Sequence, residues 1–225
     1  IDSRVGDIIE TLKKEDLFDH TIIVYAADNG LAIGSHGLLG KQNLYEHSTK
    51  VPFIISGPGI PAEAKRDALV YLYDIFPTLC HVVGLPVPEG VDGQNLLPVI
   101  NGELTEVRSS LYTAYRNTAR AVRTDEWKLI RYPQRDYTQL FNLKNDPLEI
   151  DNLASLPKYN SKVDEMMKLL EEWYLAADDT ATMNPATILP LDYDWRKLKQ
   201  IPDAHQPKYV LDKYFKGVEL EDVKK

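Results

Sequence analysis

Apolar residues at Ile1, Val5, Ile8, Ile9 and Leu12 recur at helical spacing, so the chain is expected to open at the start of an amphipathic helix or inside one. The following run, Thr21-Ile22-Ile23-Val24-Tyr25-Ala26-Ala27, is β-branched and apolar throughout. That pattern predicts a strand buried on both faces of a parallel sheet, ended by Asp28-Asn29-Gly30. Two more short apolar runs follow, Val51 to Ile55 before Gly57-Pro58-Gly59, and Ala68 to Tyr73 leading into Asp74. Asp74 is placed as an N-cap, with Pro77 in the first turn of the helix and Gly84 closing it. Strand alternating with helix predicts an α/β layer architecture.

The texture changes beyond about residue 104. Leu111 to Tyr115, Ala119 to Tyr132 and Gln139 to Leu143 are separated by short polar turns, which predicts an antiparallel meander. Val163, Met166, Met167, Leu169, Leu170 and Trp173 then keep helical spacing, so one amphipathic helix should pack on that sheet. From Thr180 onward, Pro185, Pro190, Pro202 and Pro207 with scattered aromatics favour an extended, packed tail. The expected division is an α/β part over 1–104, a small α+β part over 105–178, and a tail over 179–225.

With 225 residues, 44% of them hydrophobic, the chain can bury one substantial core or two smaller ones. Its 26 Lys and Arg against 34 Asp and Glu leave a net charge of -8, which supplies no basic field for nucleic acid or an anionic membrane. Neither is expected as a partner, and no apolar run approaches the length needed to span a bilayer. The single cysteine, Cys80, lies in an apolar helix and reads as a small buried hydrophobe; it permits no intrachain disulfide and so gives no compartment. Without an initiator Met, a basic n-region or an apolar h-region at Ile1, no targeting segment is visible, and the reading is that something upstream has been cut away.

Asp28 and Asn29 stand where a buried strand ends, the place where ligands collect in open α/β sheets. A carboxylate and an amide carbonyl are hard oxygen ligands, suited to Ca²⁺ or Mg²⁺. By residue type alone the pair is also an ordinary turn former. The loop from Leu31 to Glu46 holds Gly34, Gly37 and Gly40 together with His36, Lys41, Tyr45 and Glu46. Lys41 offers a compact positive charge for a tetrahedral oxyanion, or else is a solvated surface lysine; His36 is a candidate local hydrogen-bonding partner.

In order, Asp28-Asn29-Gly30, Ser35-His36-Gly37, Gly40-Lys41, Glu46 and Val51-Pro52 resemble a block of the type I sulfatase family, within the alkaline phosphatase-like superfamily. Asp74-Ile75-Phe76-Pro77-Thr78-Leu79 resembles the family's helix start. Leu140 to Leu143, Asp146 to Glu149 and Asn152-Leu153 resemble its C-terminal signature, read as scaffold. The resemblance implies the C-terminal part of an alkaline phosphatase-like α/β/α domain followed by a small α+β domain with an antiparallel sheet. It implies a calcium-dependent enzyme that hydrolyses aryl or carbohydrate sulfates with a formylglycine nucleophile, in a periplasmic or secreted setting. Asp28 and Asn29 would be metal ligands, Lys41 would bind sulfate, and His36 would lie near the substrate; Lys41 and His36 are the catalytic and substrate-binding candidates.

Formylglycine is made within a Cys/Ser-x-Pro/Ala-x-Arg motif, and this sequence contains none; Cys80 is followed by His81-Val82-Val83-Gly84. The N-terminal aspartates of the metal site are absent too, so Asp28 and Asn29 would form half a coordination sphere and the chain alone is expected to turn nothing over. Two rival readings stand beside this one. One is a phosphodiesterase or phosphonate hydrolase of the same superfamily, although His20, His36, His47, His81 and His205 give no close pair at zinc-ligand spacing. The other is a non-catalytic stand-alone module. An unpaired apolar sheet edge would also favour self-association.

Overall fold

The computed structural model describes residues 1–192 and 207–215. The chain divides into two compact units, Ile1–Ile188 and Leu189–Lys225. In the second, helix α6 spans Lys208–Tyr214. Most of the expected tail, with Pro202 and His205, lies outside the described residues.

The first unit opens with helix α1, Asp2–Lys14, whose Asp2 in the first turn and Lys13 and Lys14 in the last complement the helix dipole. Strand β1, Ile23–Ala26, follows and pairs with β2, Phe53–Ser56. This corrects the expected parallel sheet: the pair is antiparallel, with Ile23 opposite Ser56 and Ala26 opposite Phe53, and Tyr25 is exposed. An apolar β-branched run specifies a strand but leaves its neighbour's direction to the connection. Here the connection holds only a 3-10 turn at Ser35–Gly37 and the single turn of α2 at Glu46–Thr49, in place of the long helix that carries a parallel crossover.

Ala68 to Tyr73 is likewise no strand. The Tyr71 N–H, which a ladder would need, donates to the Asp74 carboxylate at 2.7 Å, and Leu72–Asp74 winds into a 3-10 turn. Asp74 does precede helix α3, Ile75–Val82, yet its carboxylate caps no N–H of that helix. Fully buried, it accepts the Gln94 N–H at 2.8 Å and grips Arg108 through both oxygens at 2.6 and 2.7 Å. Gly84 ends α3 at φ 71°, a left-handed residue where glycine carries no Cβ penalty. Cys80 is buried within this helix, and a short α4, Leu97–Ile100, packs beside it.

The expected meander is present as β3 (Leu111–Tyr115), β4 (Ala119–Arg123), β5 (Trp127–Tyr132) and β6 (Tyr137–Asn142), antiparallel in that order. Both faces are covered. Val122, Leu129 and Leu140 meet Met166 and Leu170 of helix α5, Asn160–Ala176. Ala121, Ile130 and Phe141 on the opposite face meet Leu44 and Tyr45 from the long loop before α2. Beyond β6, Asn152 Oδ1 accepts the Leu140 N–H at 3.0 Å while the Leu153 N–H reaches the Leu140 carbonyl at 2.9 Å. The C-terminal signature thereby occupies hydrogen-bonding groups that an edge strand would leave open.

Candidate functional site

Strand β1 delivers Asp28 and Asn29 to its carboxyl end, and the loop folds back so that Lys41 Nζ donates to Asn29 Oδ1 at 2.8 Å. Asp28 Oδ1 accepts the Asn29 N–H at 2.9 Å, and the Asn29 amide nitrogen donates to the Gly30 carbonyl at 2.9 Å. Three of the four residues picked from sequence are therefore gathered at one strand end. Gly30 makes the approach possible: its N–H donates to the Ser48 carbonyl at 3.0 Å, and a Cβ there would lie 2.0 Å from the His47 carbonyl oxygen.

His36 stands apart from that trio. At φ 54° its backbone is left-handed, and its ring stacks on Tyr45 with centroids 3.9 Å apart and planes 5° from parallel. Its Nε2 lies 3.0 Å from the Leu148 carbonyl oxygen. A carbonyl only accepts, so Nε2 carries the proton and Nδ1 is the nitrogen left for a ligand. His47 sits 5.4 Å from His36 ring to ring; burial first, then the nearby His36 and Lys128, hold its pKa below the ordinary value. Beside the stack opens a cavity of about 290 Å³ lined by His36, Gln42, Asn43, Tyr45, Tyr115 and Tyr132, among others.

Behind the loop lies a buried charge cluster. Lys128 on β5 pairs with Glu46 at 3.1 Å and Glu149 at 3.0 Å, and Arg123 on β4 reaches Glu46 at 3.2 Å. The Glu149 carboxylate also accepts the Glu46 N–H at 2.6 Å. Burial would raise the pKa of Glu46, but Lys128 and Arg123 outweigh it and hold the group low. Burial dominates at Glu149 and pushes its carboxyl up, with Lys128 offsetting only part. Leu148 and Glu149 thus grip the loop at two points, His36 and Glu46. Glu149 falls in a block that reads as scaffold from sequence, and the sequence assigns no role to Glu46 or Lys128. No periodicity pairs residues 82 or 103 positions apart, as the Lys128–Glu46 and Glu46–Glu149 contacts are.

Among the described residues no group of three or more His, Cys, Asp or Glu is placed to hold a metal ion. Asp28 and Asn29 offer side-chain oxygen donors of the kind a hard cation takes, two against the roughly six to eight in a full calcium shell.

A strand-and-helix part followed by a helix-backed antiparallel meander is the arrangement this chain shares with solved sulfatase structures. Residues 34–175 match the family described as N-sulphoglucosamine sulphohydrolase, C-terminal. The chain belongs to the sulfatase family, in its C-terminal portion. It is 38% identical over 164 residues to a choline-sulfatase of Rhizobium meliloti, covering 70% of this chain and 32% of that protein. A structure solved with its substrate D-glucosamine-2-N,6-O-disulfate superposes at TM-score 0.72 and 30% identity, covering 80% of this chain and 39% of that one. A phosphonate monoester hydrolase of Agrobacterium radiobacter gives 0.66 and 27%, over 79% and 39%. The chain spans about a third of the length of the curated relatives it matches.

Proposed function

We propose that this chain is the portion of a sulfatase that supplies part of the cation site and the sulfate-contacting lysine for hydrolysis of sulfate esters. The observation that carries the reading is the 2.8 Å contact of Lys41 Nζ with Asn29 Oδ1, which sets an ammonium beside an oxygen-donor pair at a strand end. Asp28 and Asn29 would hold a divalent cation, calcium by family resemblance, which when bound adds positive charge next to the ester's sulfate. Lys41 orients the sulfate and neutralises charge on its oxygens as the S–O bond to the alcohol breaks. His36, whose Nε2 is fixed on Leu148, would lie near the substrate by the same resemblance. The nucleophile is formylglycine by the same resemblance, and its motif does not occur in these 225 residues.

Titration of the purified chain with sulfate, phosphate and methylphosphonate tests this reading. Sulfate should bind weakly, with millimolar affinity or so, more tightly when calcium is present, and binding should vanish in Lys41→Ala. The chain should not turn over 4-nitrophenyl sulfate. Preference for methylphosphonate would instead support a phosphonate hydrolase, the reading that the Agrobacterium neighbour favours.

A further inference from the structure

Tyr45 stands between His36 and Lys41 on the loop and the antiparallel sheet behind them. Its ring face carries the His36 imidazole, with centroids 3.9 Å apart and planes 5° from parallel. Its N–H donates to Asn43 Oδ1 at 3.1 Å, and the Asn43 N–H donates in turn to the Lys41 carbonyl at 2.9 Å. Its hydroxyl donates to Gln139 Oε1 on β6 at 3.0 Å. One residue thereby ties both His36 and Lys41 to a single strand.

His36 needs such a hold. It sits at φ 54° in a turn with Gly34 at φ 101° and Gly37 at φ 70°, and its Nε2 meets the Leu148 carbonyl oxygen at 3.0 Å. A hydrogen bond keeps its strength only near linearity, so this contact requires the imidazole to lie in one plane. The Tyr45 face supplies the plane, and the Leu148 carbonyl then selects the nitrogen that bears the proton. Lys41 poses a different problem, because its four-carbon stem is flexible and only its backbone can be fixed by the fold. Asn43 links that backbone to Tyr45, while Lys41 Nζ reaches Asn29 Oδ1. Core packing does not account for these contacts. Tyr45 does lie against Ala121, Ile130 and Phe141, but an aliphatic side chain could fill the same space with neither a flat face for His36 nor a hydroxyl for Gln139.

We infer that Tyr45 is the positioning residue of this site: its ring face locks His36 in one tautomer, its N–H holds the Lys41 backbone through Asn43, and its hydroxyl mounts both on β6. The Lys41 half rests on the reading of that lysine as the sulfate contact, and the His36 half is independent of it.

The test uses the whole chain, with long-range proton–nitrogen NMR of the His36 ring at about pH 8.5, above the ordinary histidine pKa, and titration with inorganic sulfate. The wild-type chain should show His36 in one tautomer, with the proton on Nε2. Tyr45→Leu should populate both tautomers and weaken sulfate about tenfold. Tyr45→Phe keeps the ring face, so it should keep the single tautomer and weaken sulfate about threefold, the size of one lost hydrogen bond. Asn43→Ala should weaken sulfate by a similar factor and leave His36 unchanged. Ile130→Ala, a cavity in the same core, should lower the unfolding midpoint and alter neither His36 nor sulfate binding. A single tautomer in Tyr45→Leu, or mixed tautomers in Ile130→Ala to the same extent, overturns the inference. Should Tyr45→Leu fail to fold, mixed tautomers in Tyr45→Phe or unchanged sulfate binding in Asn43→Ala still overturn it. If sulfate fails to bind the wild-type chain, the Lys41 reading falls, and the His36 tautomer, which needs no ligand, decides the role of Tyr45 by itself.

Discussion

Gly30 has no side chain because His47 leaves no room for one. With a Cβ due to lie 2.0 Å from a backbone oxygen, Gly30→Ala must push α2 away from the end of β1. Forced overpacking of this kind destabilises by about 1–3 kcal/mol; urea denaturation should register that loss, and sulfate binding at Lys41 should weaken with it. Asp179 offers a residue-scale test in pH. Burial works against its charge, but hydrogen bonds from Arg120, Tyr112 and the Ala181 N–H prevail and bring its pKa from 3.8 to about 2. A depressed carboxylate stabilises the fold above its ordinary pKa and loses that contribution as pH falls through the folded value. Asp179→Asn should therefore cost about 2 kcal/mol near neutrality, and the gap from wild type should close between pH 4 and pH 2. Lys41 was picked out by family resemblance, while the place of Asp28 and Asn29 at a strand end was legible in the sequence because a turn after an apolar strand is visible locally. The fixed tautomer of His36 was not, because its partner is the backbone of Leu148, and a backbone carbonyl leaves no mark in residue type.

Among the elements, the meander of β3 to β6 and helix α5 were readable because each strand lies next in sequence to its partner. In β1 the pattern gave the strand and concealed its direction. Over Ala68 to Tyr73 the apolar pattern misled, since one buried carboxylate at Asp74 redirected the backbone into a turn. The grip of Leu148 and Glu149 on the loop is the element-scale feature with the clearest consequence. Glu149→Ala removes the acceptor for the Glu46 N–H and leaves Lys128, 2% exposed, with one carboxylate fewer. Breaking a buried pair in this way costs about 3–5 kcal/mol. Amide hydrogen exchange should quicken across residues 34–46 well before it changes in α5, and uniform acceleration of both would refute a local role for the clamp.

For the whole molecule, the exposed apolar surface is the salient quantity. Ile8 of α1, Ile54 of β2, Phe76 of α3 and Val83 just after it are each more than half exposed, at 61%, 60%, 51% and 60%. Among the described residues the β1–β2 pair also has no third strand on either edge, which leaves strand-pairing groups open. The purified chain should accordingly run larger than a monomer by light scattering, more so as concentration rises, and a monodisperse monomer across that range would count against it.

The clamp also bears on how this family can be recombined. The residues proposed to meet the ester sit on a loop between positions 28 and 46, while the groups that hold the loop in shape come from positions 123, 128, 148 and 149. A chimera that exchanged only the loop between two relatives would import the ligand contacts and sever their mounting. Moving the loop together with β4, β5 and the 146–149 turn, as one graft, is the transfer that preserves both.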